Sequence, residues 1–303
     1  MRKIFLLILV IASGFLLAAC NKKEIEVTHQ EAQQMLAAVN GEETLENTFG
    51  IKGNVSLVVD YSTNLGSYDI DSKTTITGSI NGFADFSSYE NHYLYLKFNL
   101  SVTSVQKTEG SEVKTTNKLS GKLYIVNGNT YIDMKTTTSG SEITVKSKQL
   151  QSFTEEKYNE FADQFKANPQ IPESENSIEI IGPNTVFKMY QVGSKHQLHL
   201  NISQDKLNDM FNLFGQEIQV EFNEKNYLTL DVLFSERFES LKLRGNLDVK
   251  VSMGDVDFMK FGLKGKVSLD INTNVRRPSG LPSQETLDSY PESAGEDLFP
   301  SPF

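Results

Sequence analysis

Apolar and polar residues alternate along most of the chain beyond residue 50. Val55, Leu57, Val59 and Tyr61 form the first such run, and a period of two places all four side chains on one face of a strand. The pattern recurs in 94–102, 119–125, 218–222, 228–234, 241–253 and 261–271. A sheet with one apolar face and one solvent-exposed face is typically antiparallel. We expect hairpin turns at Asn81–Gly82 and Asn127–Gly128, since both residue types tolerate positive φ.

Three segments change to a helical period with a single apolar stripe. The first has a capping box of Thr28 and Glu31 and is expected to end at Asn40–Gly41. The second begins at Thr154, with Phe153 and Tyr158 placed as a hydrophobic staple. The third begins at Ser203, with the inward residues Leu207, Met210, Phe211 and Phe214. A single stripe has to lie against an apolar surface, and the sheet's apolar face is the expected partner.

The organisation predicted from these elements is one continuous sheet in a single domain over residues 28–277. An irregular link at 171–183 separates two helix-and-strand parts that are too thin for separate cores. From Pro278 onward the chain has five acidic and no basic residues and four further prolines. Such a segment buries little apolar surface, so we expect a disordered acidic tail over 278–303.

The first twenty residues predict the compartment. Arg2 and Lys3 precede an apolar stretch that is short for a membrane span and fits a secretory signal. The stretch ends in Leu17, Ala18, Ala19 and Cys20, which resembles the bacterial lipobox. That resemblance implies a signal peptide over 1–19 and a lipid-anchored tether over 20–27, with Cys20 carrying diacylglycerol at the extracytoplasmic face of the cell membrane. A plain signal peptide with a chance cysteine and an uncleaved anchor are the alternatives.

Charge and composition narrow the function classes. The net charge is −10, from 39 acidic and 29 basic residues, which argues against nucleic acid as a partner. Removal of the signal's two basic residues makes it −12. The only cysteine excludes an intrachain disulfide. Nucleophile-elbow, Walker and dinucleotide motifs are missing, and Ser111–Lys114 matches S-x-x-K without a companion motif. We expect no enzyme, although carboxylates paired in space for glycoside hydrolysis stay open.

Metal and cofactor sites are not expected. His196 and His199 are three apart and point to opposite faces if they lie on a strand. Asp69–Asp71 and Asp255–Asp257 lack the glycine bend and distal glutamate of a calcium loop.

The layout resembles the LolA/LolB and LppX/LprG-like lipoproteins and their uncharacterised Gram-positive relatives. The resemblance spans roughly residues 25–278 and includes the aromatic hairpin Leu123–Ile132. It implies an α+β fold, in which a large curled antiparallel sheet forms a half-barrel with about three short helices on its concave side.

The resemblance also implies a non-catalytic lipoprotein that binds or presents a lipid or another hydrophobic ligand. The same residues also fit an ordinary core. The alternative is an interaction or scaffold lipoprotein without a cavity, whose polar, Thr- and Ser-rich sheet face meets a partner or a cell-wall polymer. The threonines expected on that face are Thr74, Thr75, Thr77, Thr115, Thr116, Thr136, Thr137 and Thr138. The predicted ligand-lining residues are Leu94, Leu96, Phe98, Leu123, Ile125, Phe222, Leu230, Val232, Phe261 and Leu263.

Overall fold

A large antiparallel sheet dominates the structure. The computed structural model describes residues 22–64, 69–108, 110–138, 140–166, 186–202, 218–222, 226–253 and 259–293. The strands in these ranges are β1 Lys22–Ile25, β2 Thr48–Asn64, β3 Asp69–Asp85, β4 Tyr93–Thr108, β5 Ser111–Val126, β6 Asn129–Thr138, β7 Ser141–Gln149, β8 Phe187–Val192, β9 Lys195–Ile202, β10 Ile218–Phe222, β11 Tyr227–Phe234, β12 Phe238–Met253 and β13 Met259–Thr273.

All of these strands belong to one sheet. Its order is β1-β8-β9-β11-β12-β13-β2-β3-β4-β5-β6-β7, and β10 continues the edge of β12 beyond β11. The long ladder between β13 and β2 joins the last strand to the second one, so both parts of the chain share one sheet, as predicted. In the described residues β1 and β7 are the two edges, and the sheet is open.

The break between β10 and β11 is bridged by one buried side chain. The Nδ2 of Asn226 donates to the carbonyl oxygen of Asp248, 3.0 Å away. The Oδ1 of the same amide accepts from the backbone N–H of Asp248. The amide thereby takes the place of a backbone pair where the ladder is interrupted.

The register divides the sheet into two chemically different faces. Val232, Leu241, Ile271 and Ile51 lie directly opposite one another on four successive strands. Residues paired in this way share a face, and we call theirs the apolar face. The opposite, polar face carries ion pairs such as Arg244 with Asp270, at 2.7 Å. The predicted alternation is therefore confirmed.

The first predicted helix is present as α1, His29–Ala37. The Thr28 hydroxyl accepts from the N–H of Glu31 at 3.2 Å, and the Glu31 carboxylate accepts from the N–H of Thr28 at 2.7 Å. The helix ends before the predicted stop. Asn40 instead caps a second short helix, α2 Gly41–Leu45, by accepting from the N–H groups of Glu42 and Glu43.

The second predicted helix is α3, Glu155–Lys166. Thr154 accepts from the N–H of Lys157, and the rings of Phe153 and Tyr158 meet edge to face, which confirms the staple. The third predicted helix, from Ser203, lies outside the described residues, as does the link at 171–183. The half-barrel curl and the position of helices on a concave side stay predictions.

The expected disorder of the acidic tail is wrong for residues 278–293, which we call the C-terminal segment. It contains helix α4, Gln284–Asp288, which is capped by Ser283. Leu287 is 1% exposed, and Tyr290 packs edge to face on Tyr131. A few large apolar side chains thus dock this acidic segment on the sheet. Residues 294–303 lie outside the described part.

Two further predictions are corrected. Residues 22–25 of the predicted tether form strand β1 on β8, and Ile25 packs beside α1. Asn81–Gly82 is not a turn but lies inside β3. A Cβ at Gly82 would clash with a methyl of Leu96, so the glycine serves close packing rather than positive φ. The turn at Asn127–Gly128 is confirmed, with φ of 50° and 77°.

Candidate functional site

The predicted ligand-lining residues share the apolar face. Leu96 pairs with Leu123, and the same row continues through Gly82, Ile51, Ile271 and Leu241 to Val232. Phe98 and Leu230 lie in the neighbouring row on one side of the row that contains Leu96 and Val232. Leu94 and its partner Ile125 lie in the neighbouring row on the other side. Phe261 and Leu263 lie further along β13, and Phe222 occupies the register position opposite Val249, the partner of Leu263.

A central row of the apolar face is open to solvent. Val267, Val55, Gly78, Leu100, Leu119, Thr136 and Ile143 succeed one another from β13 to β7. Val267, Val55, Leu100 and Ile143 are 36%, 40%, 37% and 64% exposed. Isolated exposed apolar residues are ordinary, but here four of them lie in one register row that also contains Gly78 and Thr136. We call these seven residues the central row.

Glycines shape the apolar face. Gly78, Gly82 and Gly121 face the same side as the predicted lining residues, each between two larger side chains. A Cβ at Gly121 would meet the ring of Phe98 at 2.7 Å, and one at Gly78 would meet Val55 at 3.0 Å. The larger side chains therefore lie over the glycines.

Helix α1 covers only one part of the apolar face. Ala32 is fully buried against Met189, Leu198, Leu200 and Phe234. Leu230 and Val232 pack against this cluster and are the predicted lining residues that α1 reaches.

Four depressions on the described surface combine charged and polar side chains with a larger share of apolar wall surface. The largest, about 870 Å3, lies near the β2–β3 and β12–β13 ends, and its walls include Asp60, Lys73, Lys107 and Phe261. Phe261 is the one predicted lining residue in the walls of these four. A second depression, about 550 Å3, lies between β1, the start of α1 and β8. Its walls combine Ile25, Val27 and Phe187 with carboxylates.

Two shallower depressions lie on the polar face over β3 to β6. They measure about 490 Å3 and 180 Å3 and have Asn99, Ser120 and Lys135 in common. The threonines that we expected on the polar face are divided between both faces. Thr75, Thr77, Thr116 and Thr137 face the polar side, and Thr74, Thr115, Thr136 and Thr138 face the apolar side.

A histidine that the sequence did not single out organises one end of the sheet. His92 is buried, and its Nε2 accepts from the N–H of Gly128 at 3.1 Å. Its Nδ1 therefore carries the proton and donates to the carbonyl oxygen of Tyr89. Phe153 of the α3 staple and Tyr158 surround the ring, so His92 ties the β5–β6 turn to α3.

The C-terminal segment creates a tyrosine cluster on the polar face. The Tyr131 hydroxyl donates to Asp288 at 3.0 Å, and the N–H of Lys148 donates to the carbonyl of Pro291 at 2.7 Å. Burial raises the pKa of Tyr131, Tyr124 and Tyr290 above the usual value. These contacts are structural, and their only sequence signal was the isolated apolar residues within an acidic, proline-containing stretch.

The remaining histidines behave as predicted for a strand. His199 on the polar face contacts the Asp231 carboxylate at 2.8 Å, whereas His196 on the other side contacts the ring of Phe234. Among the described residues, no three His, Cys, Asp or Glu side chains gather in a way that suits a metal ion. Asp69–Asp71 lies in β3, and Asp255–Asp257 lies outside the described ranges.

The predicted anchor lies outside the described residues as well, including Leu17, Ala18, Ala19 and Cys20. Within the described ranges, no helix combines the length and apolar character that a membrane crossing requires.

Comparisons with known proteins bring little. No protein-family model and no curated protein matches the chain. One solved structure, a β-barrel-like protein of a domain of unknown function (DUF1849) from Brucella abortus, aligns at 10% identity. The alignment covers 73% of this chain and 97% of that one, with a TM-score of 0.14. A score that low carries no argument, so the fold described above rests on the strand register alone.

Proposed function

We propose that the chain is a non-catalytic lipoprotein, anchored through acylated Cys20 at the extracytoplasmic face of a bacterial membrane, that binds or presents a lipid or another hydrophobic molecule. The observation that carries the proposal is the central row, because it leaves Val267, Val55, Leu100 and Ile143 partly in water. A ligand that covers these side chains would be stabilised by about 25 cal/mol for each Å2 of apolar surface that is removed from water.

The position of the predicted anchor supports presentation close to the membrane. β1 begins at Lys22, so Cys20 is separated from the sheet by a single residue. Two peptide steps span at most about 7 Å. An acylated Cys20 would therefore hold β1, and the depression beside α1, near the lipid surface.

Lipid analysis tests the proposal. The full chain with Cys20→Ser, which takes no acyl anchor, is purified and examined by native mass spectrometry and lipid extraction. A stoichiometric lipid bound to the protein supports ligand binding, and a clean apo-protein overturns it.

Matched variants locate the ligand. Leu100→Asn places a polar group in the central row, and Ser101→Asn introduces the same residue next to it on the opposite face. We expect the first variant to lose most of the bound lipid and the second to retain it. Equal lipid content in both variants would contradict binding on the apolar face.

The second candidate is a scaffold lipoprotein that uses the polar face. The observation that favours it is the set of depressions with charged walls on that face. A lipid-free protein in the test above would leave this candidate as the better one.

A further inference from the structure

The lysines of one half of the sheet are concentrated on one face. Strands β4 to β7 contain eight lysines, and the register places all eight on the polar face. Only Glu112, Asp133 and Glu142 lie with them. These four strands therefore contribute five excess positive charges in a chain whose net charge is −10, and the docked C-terminal segment offsets part of that excess, since Glu292 pairs with Lys148 at 3.5 Å. The eight are Lys97, Lys107, Lys114, Lys118, Lys122, Lys135, Lys146 and Lys148.

Two of these lysines lie directly opposite each other. Lys97 of β4 pairs with Lys122 of β5, and both side chains are exposed. Like charges in this position destabilise a sheet. In the described part of the chain, neither they nor Lys118 have a carboxylate within ion-pair distance, whereas Lys135 pairs with Glu142 at 2.7 Å. Asp133 lies between Lys122 and Lys146 in the register and pairs with Lys146 at 3.8 Å, as Asp270 lies between Lys242 and Lys52 on the other half of the face.

The unpaired lysines border the two shallow depressions, which we call the lysine groove. Lys97 and Lys122 stand at the smaller depression and Lys118 at the larger one. The other walls include the hydroxyl and amide groups of Ser79, Ser101 and the shared Asn99 and Ser120, together with apolar surface and, in the smaller depression, the carboxylate of Asp133. Such groups offer hydrogen bonds to a hydroxylated ligand.

The cations of the groove are regularly spaced along β5. Lys122 is followed by Ser120, whose cross-strand partner is Lys135, and then by Lys118. Each step is two residues, or about 6.8 Å along the strand. A linear polymer with one negative charge per repeat of this length can meet Lys122 and Lys118 with alternate charges, and the charge between them lies at Lys135, whose ammonium is shared with Glu142.

We infer that the lysine groove binds a linear polyanion, a hydroxylated polymer joined by phosphodiester groups. A flat anionic membrane fits less well, because the C-terminal segment stands on the same face beside the groove. Tyr290 of that segment lies over the Nζ of Lys146 at 5.4 Å, and Asp288 accepts from Tyr131. A helix is about 10 Å thick, so it holds a planar surface off the floor of the groove.

The test uses the full chain with Cys20→Ser and a synthetic glycerol-phosphate oligomer of about ten units as the probe, with calorimetric titration of binding. Contact with three phosphates predicts a weakening of about 20-fold between 50 and 200 mM NaCl, from the salt dependence of single-stranded polyanions. Neutral dextran is the uncharged comparison, and phosphatidylglycerol vesicles are the membrane comparison. The salt dependence requires no variant.

Two triple variants with equal charge change locate the site. K97Q/K118Q/K122Q removes the unpaired lysines, and K52Q/K242Q/K266Q removes three lysines from the other half of the polar face. We expect at least a tenfold loss of affinity and a flatter salt dependence in the first, and less than a threefold change in the second. Circular dichroism verifies that both are folded.

Three results would overturn the inference. The first is no binding of the oligomer, and the second is an equal loss of affinity in the two triple variants. The third is that the groove lysines are required for binding to vesicles but not for binding to the oligomer. Because the probe contains no acyl chain, failure here is separate from failure of the lipid extraction on the apolar face.

Discussion

Truncation of Leu287 to alanine is expected to release the C-terminal segment without unfolding the sheet. Leu287 is 1% exposed and belongs to the cluster of Phe83, Tyr93, Tyr124 and Tyr131. The rest of the segment is held by hydrogen bonds to Tyr131 and to the edge strand β7. Leu287 and Tyr290, which is buried in the same cluster, are therefore its main apolar attachments.

The size of the effect follows from the burial. Leu→Ala in a core costs about 2 to 5 kcal/mol. We take about 2 to 4 kcal/mol, since the segment lies at the surface and can relax. That change multiplies the population of the undocked state by about 30- to 1,000-fold at 25 °C. The sheet has no hydrogen bond that depends on Leu287, so global stability changes less.

Amide hydrogen exchange measures the population of the undocked state directly. The N–H groups of Lys148 and Ser293 bond to Pro291 and Lys148 across the junction, so both should exchange faster by the factor above. Amides in the β13–β2 ladder should keep their rates. Glu285→Ala, at an exposed position of the same helix, is the control. Unchanged exchange at Lys148 in L287A, or equal acceleration throughout the sheet, would refute the reasoning.

Three other perturbations test separate features. His92→Phe removes the acceptor of the Gly128 N–H and should lower the free energy of unfolding by about 1 to 3 kcal/mol in urea titrations; an unchanged midpoint contradicts the assigned role. Gly82→Ala should cost about 1 to 3 kcal/mol because its Cβ meets Leu96 and the Tyr95 carbonyl, whereas Gly262→Ala, with 3.6 Å of clearance, should be nearly neutral in the same assay. Tyr93, Tyr124, Tyr131, Tyr158 and Tyr290 have a raised pKa through burial, so the stability that they contribute is present below pH 10 and lost as the pH rises through their folded-state pKa. Absorbance at 295 nm should then show late ionisation coupled to unfolding, and a single transition near pH 10 would contradict it.

The sheet could be predicted because its two faces differ at every second residue. Leu94, Leu96 and Phe98 alternate with polar neighbours, and the register places them together on the apolar face as expected. Helix α1 was equally readable, since Thr28 and Glu31 form a local signal that tertiary contacts do not override. In both cases the information lies within a few residues of the element.

The errors arose where a residue type has more than one structural use. Gly82 follows an asparagine and suggested a turn, yet its lack of a side chain serves Leu96 on the neighbouring strand. The C-terminal segment is acidic and contains prolines, yet Leu287 and Tyr290 are sufficient to dock it once a tyrosine surface is present. His92 depends on the backbone of Gly128, 36 residues away, and no local pattern indicates that pairing.

The same alternation explains why the strands keep a single pairing register although the central row is exposed to solvent. A slip of β5 by one residue against β4 would exchange its faces. Lys118 and Lys122 would then lie among Phe98 and Leu100, and Leu119 and Leu123 would enter the polar side. The slip would also remove Tyr124 and Val126 of β5 from the buried cluster under the C-terminal segment. This buried end of the strand holds the pairing, and the central row is free to face a ligand without threatening the fold.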